Sequence, residues 1–177
     1  MFPGVIPAAL LCLLPLAAIA AHCTATWPAT ADILHHGLLT PSLSLDRRQR
    51  LADRLLCSAL AGNPASQELA GTLYFQGRAR KGNVLPRDMS RARHMLMAAA
   101  NRGWHLAMQR LAELELADGH PYEAALWTHV AYVIHGNPPT STLPLRRRID
   151  ALVSPDARLD ADVLHKVASI REAMEAN

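Results

Sequence analysis

The chain has 177 residues, a net charge of +3 and 5% aromatic residues, against 50% hydrophobic residues counted with alanine. That length suits one domain of ordinary size, and the apolar content rests on Ala and Leu, the composition of a helical protein. A small positive balance without interleaved aromatic residues gives no ground for a nucleic-acid partner.

From Phe2 to Ala21 there is no charged side chain, and Val5 to Ala20 is dominated by Leu, Ala and Ile. Pro15 breaks any helix shortly before Ala18-Ile19-Ala20, an A-x-A cleavage pattern, and Ile19-Ala20-Ala21 would also serve. Residues 1–21 therefore read as a secretory signal peptide, cleaved after Ala20 or Ala21, although its only positive charge is the terminal amine. A membrane anchor would need about 20 apolar residues. Pro3, Pro7 and Pro15 argue against one, so no membrane insertion is expected after cleavage. His22 stands before Cys23, where lipid attachment would need a small residue. The expected location is periplasmic or secreted. Cys12 would leave with the signal, and Cys23 and Cys57 would remain. Two cysteines in an oxidising compartment suggest one disulfide. It would close a loop of about 33 residues and contribute roughly 3–4 kcal/mol. Two unpaired buried thiols are the alternative.

Residues 22–45 read as an N-terminal arm with at most one short helix near Ala31–Leu38. A helix then runs from Asp46 to about Ala61, with Leu51, Ala52, Leu55, Leu56 and Ala59 at helical spacing. Gly62 stops it, and Pro64 starts the next helix, which reaches about Gln76. Gly71 sits in the middle of that helix, where glycine costs about 1 kcal/mol against alanine; close contact between helix backbones would explain it. Gly77 is expected as a left-handed C-cap. Arg78 to Arg87 reads as a loop and Asp88 as an N-cap. The following helix places Ala92, Met95, Leu96, Ala99 and Ala100 on one face and ends at Gly103. A second hairpin follows, from His105 to Ala117 and from Pro121 to about His135. Ala107, Leu111 and Leu114 face inward from its first helix, and Ala124, Trp127, Thr128 and Ala131 from its second. A linker at 136–144 leads to helices near Leu145–Val153 and Pro155–Glu175. The second of these is expected to carry Ser154 as its cap and Leu159, Val163, Val167, Ile170 and Met174 on its stripe. No strand is expected.

The chain carries the spacing Gly62-x3-Ser66-Gln67-x2-Ala70-Gly71-x2-Tyr74-x2-Gly77, then Pro86-x-Asp88-x3-Ala92-x2-Met95-x3-Ala99-Ala100-x2-Gly103. This resembles the Sel-one-like repeat, a variant of the tetratricopeptide class. The typical unit is A-x2-G-x3-A-Q-x2-L-G-x2-Y-x2-G-x-G-V-x2-D-x3-A-x2-W-x3-A-A-x2-G. Ser66, Ala70 and Met95 depart from it while keeping small or apolar character, and about five extra residues lie between Gly77 and Pro86, a cheap kind of insertion. The second unit is faded. Gly103, Ala107, Leu111-Ala112, Ala124, Trp127 and Ala131 match, whereas Glu115 stands in place of the tyrosine. Ala52, Leu55 and Ala59 look like half of an earlier unit, so the resemblance covers residues 46–135. It implies an all-α fold: a short right-handed superhelix, or α-solenoid, of antiparallel helix hairpins closed by extra C-terminal helices over 145–177. Stacked hairpins of this kind need neighbours to bury their apolar stripes. The residues that would carry the repeat are Gly62, Gly71, Tyr74, Gly77, Asp88, Ala92, Ala99, Ala100, Gly103 and Trp127. The resemblance also implies a protein-binding role in the bacterial envelope, as adaptor or immunity-type inhibitor.

The chain contains no H-E-x-x-H, C-x-x-C or G-x-S-x-G motif and no phosphate-binding glycine loop. No catalytic, cofactor-binding or metal-binding residue is assigned. The histidines are scattered, with His35-His36 adjacent, and Glu113 and Glu115 point different ways on a helix. The sharpest candidate is the inserted loop Arg78-Ala79-Arg80-Lys81-Gly82, in which Arg78, Arg80 and Lys81 would meet an acidic partner protein. Loops positioned by a rigid scaffold often bind; the plain alternative is a solvated insertion. Arg146-Arg147-Arg148 reads as a solvated helix start, and Trp104 as a buried cap, with an exposed anchor as the alternative. The expectation is a non-enzymatic module that binds another protein. A small metal-dependent or His/Glu hydrolase, or a structural component of an envelope assembly, are the alternatives.

Overall fold

The structure is a computed structural model that describes residues 30–136 and 143–176. The expected signal peptide at 1–21, Cys23 and most of the expected linker lie outside the described residues. Among those described the fold is all-α, with no strand. The helices are α1 (Thr30–His35), α2 (Leu45–Leu60), α3 (Pro64–Gln76), α4 (Met89–Ala100), α5 (His105–Ala117), α6 (Pro121–His135), α7 (Leu143–Asp150) and α8 (Ala157–Glu175). A short 3-10 turn, Gly77–Ala79, follows α3.

Local chemistry sets the helix starts. The Ser44 hydroxyl accepts the Arg47 N–H at the head of α2. Asn63 Oδ1 accepts the Ser66 N–H, with Pro64 in the first turn of α3. Asp88 Oδ1 accepts the Arg91 N–H, as its expected capping role requires. Each cap satisfies an N–H that the helix itself leaves unpaired, worth about 1 kcal/mol. Three boundaries differ from expectation. Asp156, not Ser154, caps α8, accepting the Leu159 N–H. The α7 helix starts at Leu143 and puts Arg147 and Arg148 in its last turn, where cations suit the negative helix end. Gly77 has φ 58° and ψ −158°, which is not the left-handed helical basin but a region open essentially to glycine alone.

Packing follows chain order. The α3 and α4 helices form one hairpin and α5 and α6 a second, and α4 also packs on α5 and α3 on α5. The α2 helix rests on α3, and α8 covers α6. Alanine makes these approaches close: Ala52, Ala70, Ala92, Ala99, Ala100, Ala107 and Ala124 are fully buried. Leu55, Leu73, Leu96, Met108, Leu111 and Leu114 fill the spaces between them, each contributing about 1.5–3 kcal/mol by leaving water. The expected α8 stripe is buried at Leu159, Val163, Val167 and Ile170. Met174 is instead 49% exposed. Lys166 lies over the buried Trp127 ring, 5.4 Å from its centroid, and ties α8 to α6. At the other end, a chain of hydroxyls from Thr30 through Ser66 to Ser58 joins α1, α3 and α2, each link 2.8 Å long.

Candidate functional site: a basic loop on the first hairpin

The loop between α3 and α4 is built, not merely tolerated. Arg78, Ala79, Arg80 and Lys81 are exposed, but Asn83, Val84 and Leu85 behind them are buried. The Asn83 amide donates to the Leu73 and Gly77 carbonyls, both at 2.8 Å. Its own oxygen accepts the Leu85 N–H at 3.0 Å. One side chain thus adds a second hydrogen bond to carbonyls that already accept the Gly77 and Arg80 N–H groups, tying the loop to the end of α3. From the other side Arg48 of α2 donates to the Gly82 carbonyl at 2.8 Å. The arm presses on the same point, since a Cβ on Gly82 would lie 2.3 Å from the Leu39 carbonyl oxygen. The Asp88 N–H returns to the Tyr74 carbonyl and closes the loop.

This frame holds cations that form no close ion pair, although Arg87 lies near enough to Asp118 to help lower its carboxyl pKa. Between Gln76 and Asp88 the chain has Arg78, Arg80, Lys81 and Arg87 and no acidic residue. Among the described residues none of the four forms an ion pair with a carboxylate, whereas Arg50, Arg91, Arg93, Arg110 and Arg146 all do. Arg80 donates to Gln76 Oε1 at 2.8 Å, which orients its guanidinium. An open groove of about 450 Å³ runs beside it, lined by Phe75, Gln76, Ala79, Arg80 and Arg87. The structure brings Arg80 to this groove; Arg78 and Lys81 are exposed on the same loop but do not line it. Arg87 and Phe75 are additions that sequence reasoning missed. Arg87 was legible as part of the charge run, but nothing in the spacing tells that Phe75 reaches the groove.

The repeat-pattern residues are structural here. Ala92, Ala99 and Ala100 are fully buried, and Tyr74 and Trp127 are each 4% exposed. Gly71 meets Leu96 and the Ala92 carbonyl of α4. Gly62 and Gly103 have positive φ at the turns that lead into the two hairpins. Arg102 donates to the Gly62 carbonyl, and His135 Nε2 donates to the Gly103 carbonyl at 3.0 Å. Trp104, expected to be buried, is 37% exposed and makes no side-chain cap bond. Its backbone makes the turn hydrogen bonds, accepting from Met108 and donating to Ala99. Cys57 is buried on α2; its expected partner Cys23 lies outside the described residues.

A second charged cluster was not foreseen. Glu115, where the resemblance places a tyrosine, is buried on α5. Both of its oxygens accept from Arg93 of α4, at 2.7 and 3.1 Å, and one also accepts from His120 Nδ1 at 3.0 Å. Asp118 pairs with Arg93 too, and that hydrogen bond holds its carboxyl below the usual range. Glu115, Asp118 and His120 bring ligand atoms within 4.8 Å of one another. The bidentate guanidinium already occupies both Glu115 oxygens, so the cluster is a satisfied ion network joining the two hairpins.

No family model matches this chain, and no curated protein or solved structure matches it. No helix among the described residues is long and apolar enough to cross a membrane.

Proposed function

We propose that this chain is a non-catalytic protein–protein interaction module of the bacterial envelope, acting as an adaptor or an immunity-type inhibitor. In this reading it is a Sel-one-like repeat protein whose hairpins stack as a short right-handed superhelix, exported by residues 1–21 and bridged between Cys23 and Cys57. The contact order of α3 to α6, with each hairpin packed on the next, supports the stacked arrangement. The observation that carries the function is the buttressed loop with four exposed cations, none in an ion pair among the described residues. A rigid scaffold that displays uncompensated charge loses little entropy when a partner neutralises it. The hydrolase alternative would draw on Glu115, Asp118 and His120, and the Arg93 pairing weighs against it.

A photo-crosslinking residue placed at Ala79 tests this reading in cells of the source organism. The expected result is a discrete protein adduct in the envelope fraction, absent when the same residue stands at Leu164 on the exposed face of α8. Equal labelling from both positions, or no adduct from Ala79, would count against the module.

A further inference from the structure

We infer that the groove beside the loop takes an extended acidic protein segment, with an apolar side chain seated on Phe75 and Ala79 and flanking carboxylates held by Arg80 and Arg87. This rests on the interaction-module reading and names the kind of partner. Three observations carry it. First, the groove mixes an aromatic and a methyl surface with two guanidiniums, at about 450 Å³, room for a few side chains but not for a folded domain. Second, the Arg80 guanidinium is oriented and the Arg87 backbone is fixed, its guanidinium touching only the Met89 sulfur at 3.9 Å among the described residues. Arg80 is bonded to Gln76 at 2.8 Å, and the Arg87 backbone lies so close to Gly77 that a Cβ there would stand 2.7 Å from the Arg87 nitrogen. A planar guanidinium fork oriented like that of Arg80 matches a carboxylate in two parallel hydrogen bonds, which a lysine cannot do. Third, Arg78 and Lys81 sit exposed on the same loop and extend the positive field past the groove. They would speed the approach of an acidic segment and set its direction without fixing its register.

A nucleic acid or an anionic membrane would also answer to the charge. The geometry favours protein, because the groove has one aromatic ring and no second platform on which successive bases could stack. The exposed large apolar residues, such as Leu45, Leu106, Leu152 and Leu164, fall on α2, α5, the α7–α8 turn and α8, and none on the loop that would have to enter a bilayer surface.

The test is selection from a display library of random short peptides on the full chain. The binders are then measured against wild type, Arg80→Glu/Arg87→Glu, Arg80→Gln/Arg87→Gln and, as control, Arg171→Glu on the exposed face of α8. The expected consensus has Asp or Glu on both sides of one apolar residue. Binding should weaken about tenfold or more in the charge-reversed variant, less in the neutral one and not in the control, and should fall as salt rises. All variants should keep the wild-type melting transition, since Arg80 and Arg87 are exposed. A selection without acidic enrichment overturns the inference, as does an acidic peptide that binds the reversed variant unchanged. So does tighter, reversal-sensitive binding of a single-stranded oligonucleotide or of phosphatidylglycerol vesicles. A crosslinked partner that survives the double reversal would leave the interaction module standing and remove only this groove from it.

Discussion

At Gly71 a Cβ would lie 2.7 Å from Leu96 Cγ and 3.1 Å from the Ala92 carbonyl oxygen. Two effects oppose each other there. Alanine would gain about 1 kcal/mol of helix propensity over glycine, while overpacking a closed contact costs about 1–3 kcal/mol. The second wins because one clashing atom is backbone of α4 and cannot rotate away. Gly71→Ala is therefore expected to destabilise the protein by about 1 kcal/mol, read as a lower midpoint in urea unfolding; a raised midpoint would show that α3 and α4 are not in contact there. This residue was legible in advance, because a glycine inside an otherwise good helix calls for a reason. Trp104 was not. Its exposure depends on which neighbours happen to lie over the turn, and no local pattern records that.

The helices themselves were largely readable, since period and caps are local: Asn63-Pro64 and Asp88 sit where the chain's own N–H groups need them. What joins the elements was harder to see. Arg93 and Glu115 lie 22 positions apart and each looks like an ordinary surface charge. Asn83, on which no sequence pattern bears, bonds the loop to the Leu73 and Gly77 carbonyls and to the Leu85 N–H. Both depend on tertiary burial. The Arg93–Glu115 pair makes a sharp test of how α4 is tied to α5. Removing Arg93 alone leaves a carboxylate that is 4% exposed with only His120 and no guanidinium. Arg93→Met is expected to cost about 2–4 kcal/mol in chemical unfolding, allowing for the partial exposure of the arginine. Arg93→Met with Glu115→Leu removes both charges and should recover most of that loss. If the double variant is no better than the single one, the pair is not what links these hairpins.

At the scale of the molecule, two half-buried titratable groups among the described residues, His105 and Glu68, push stability in opposite directions. His105 opens α5 in a cleft shared with Tyr132 of α6 and Arg146 of α7. Its ring lies 4.8 Å from that of His135. Burial, and then the neighbouring His135, hold its pKa below 6.5. Glu68 on α3 accepts from Thr72 at 3.0 Å, with Arg110 of α5 at 4.0 Å. Burial outweighs both and holds its pKa above 4.5. A histidine whose folded value is depressed binds fewer protons folded than unfolded, so stability falls as pH drops through 6.5 toward that lower value. A carboxyl whose folded value is raised binds more protons when folded, so stability rises as pH falls from the raised value toward 4.5. Acidification should thus cost stability through His105 and regain part of it through proton uptake by Glu68. His105→Asn should remove that cost. Glu68→Gln should raise stability at neutral pH and remove the regain. Urea midpoints measured from neutral pH down to about pH 4 decide both, because the two substitutions act with opposite sign. A histidine variant that leaves the mild-acid slope unchanged would place that sensitivity outside the α5–α6–α7 junction.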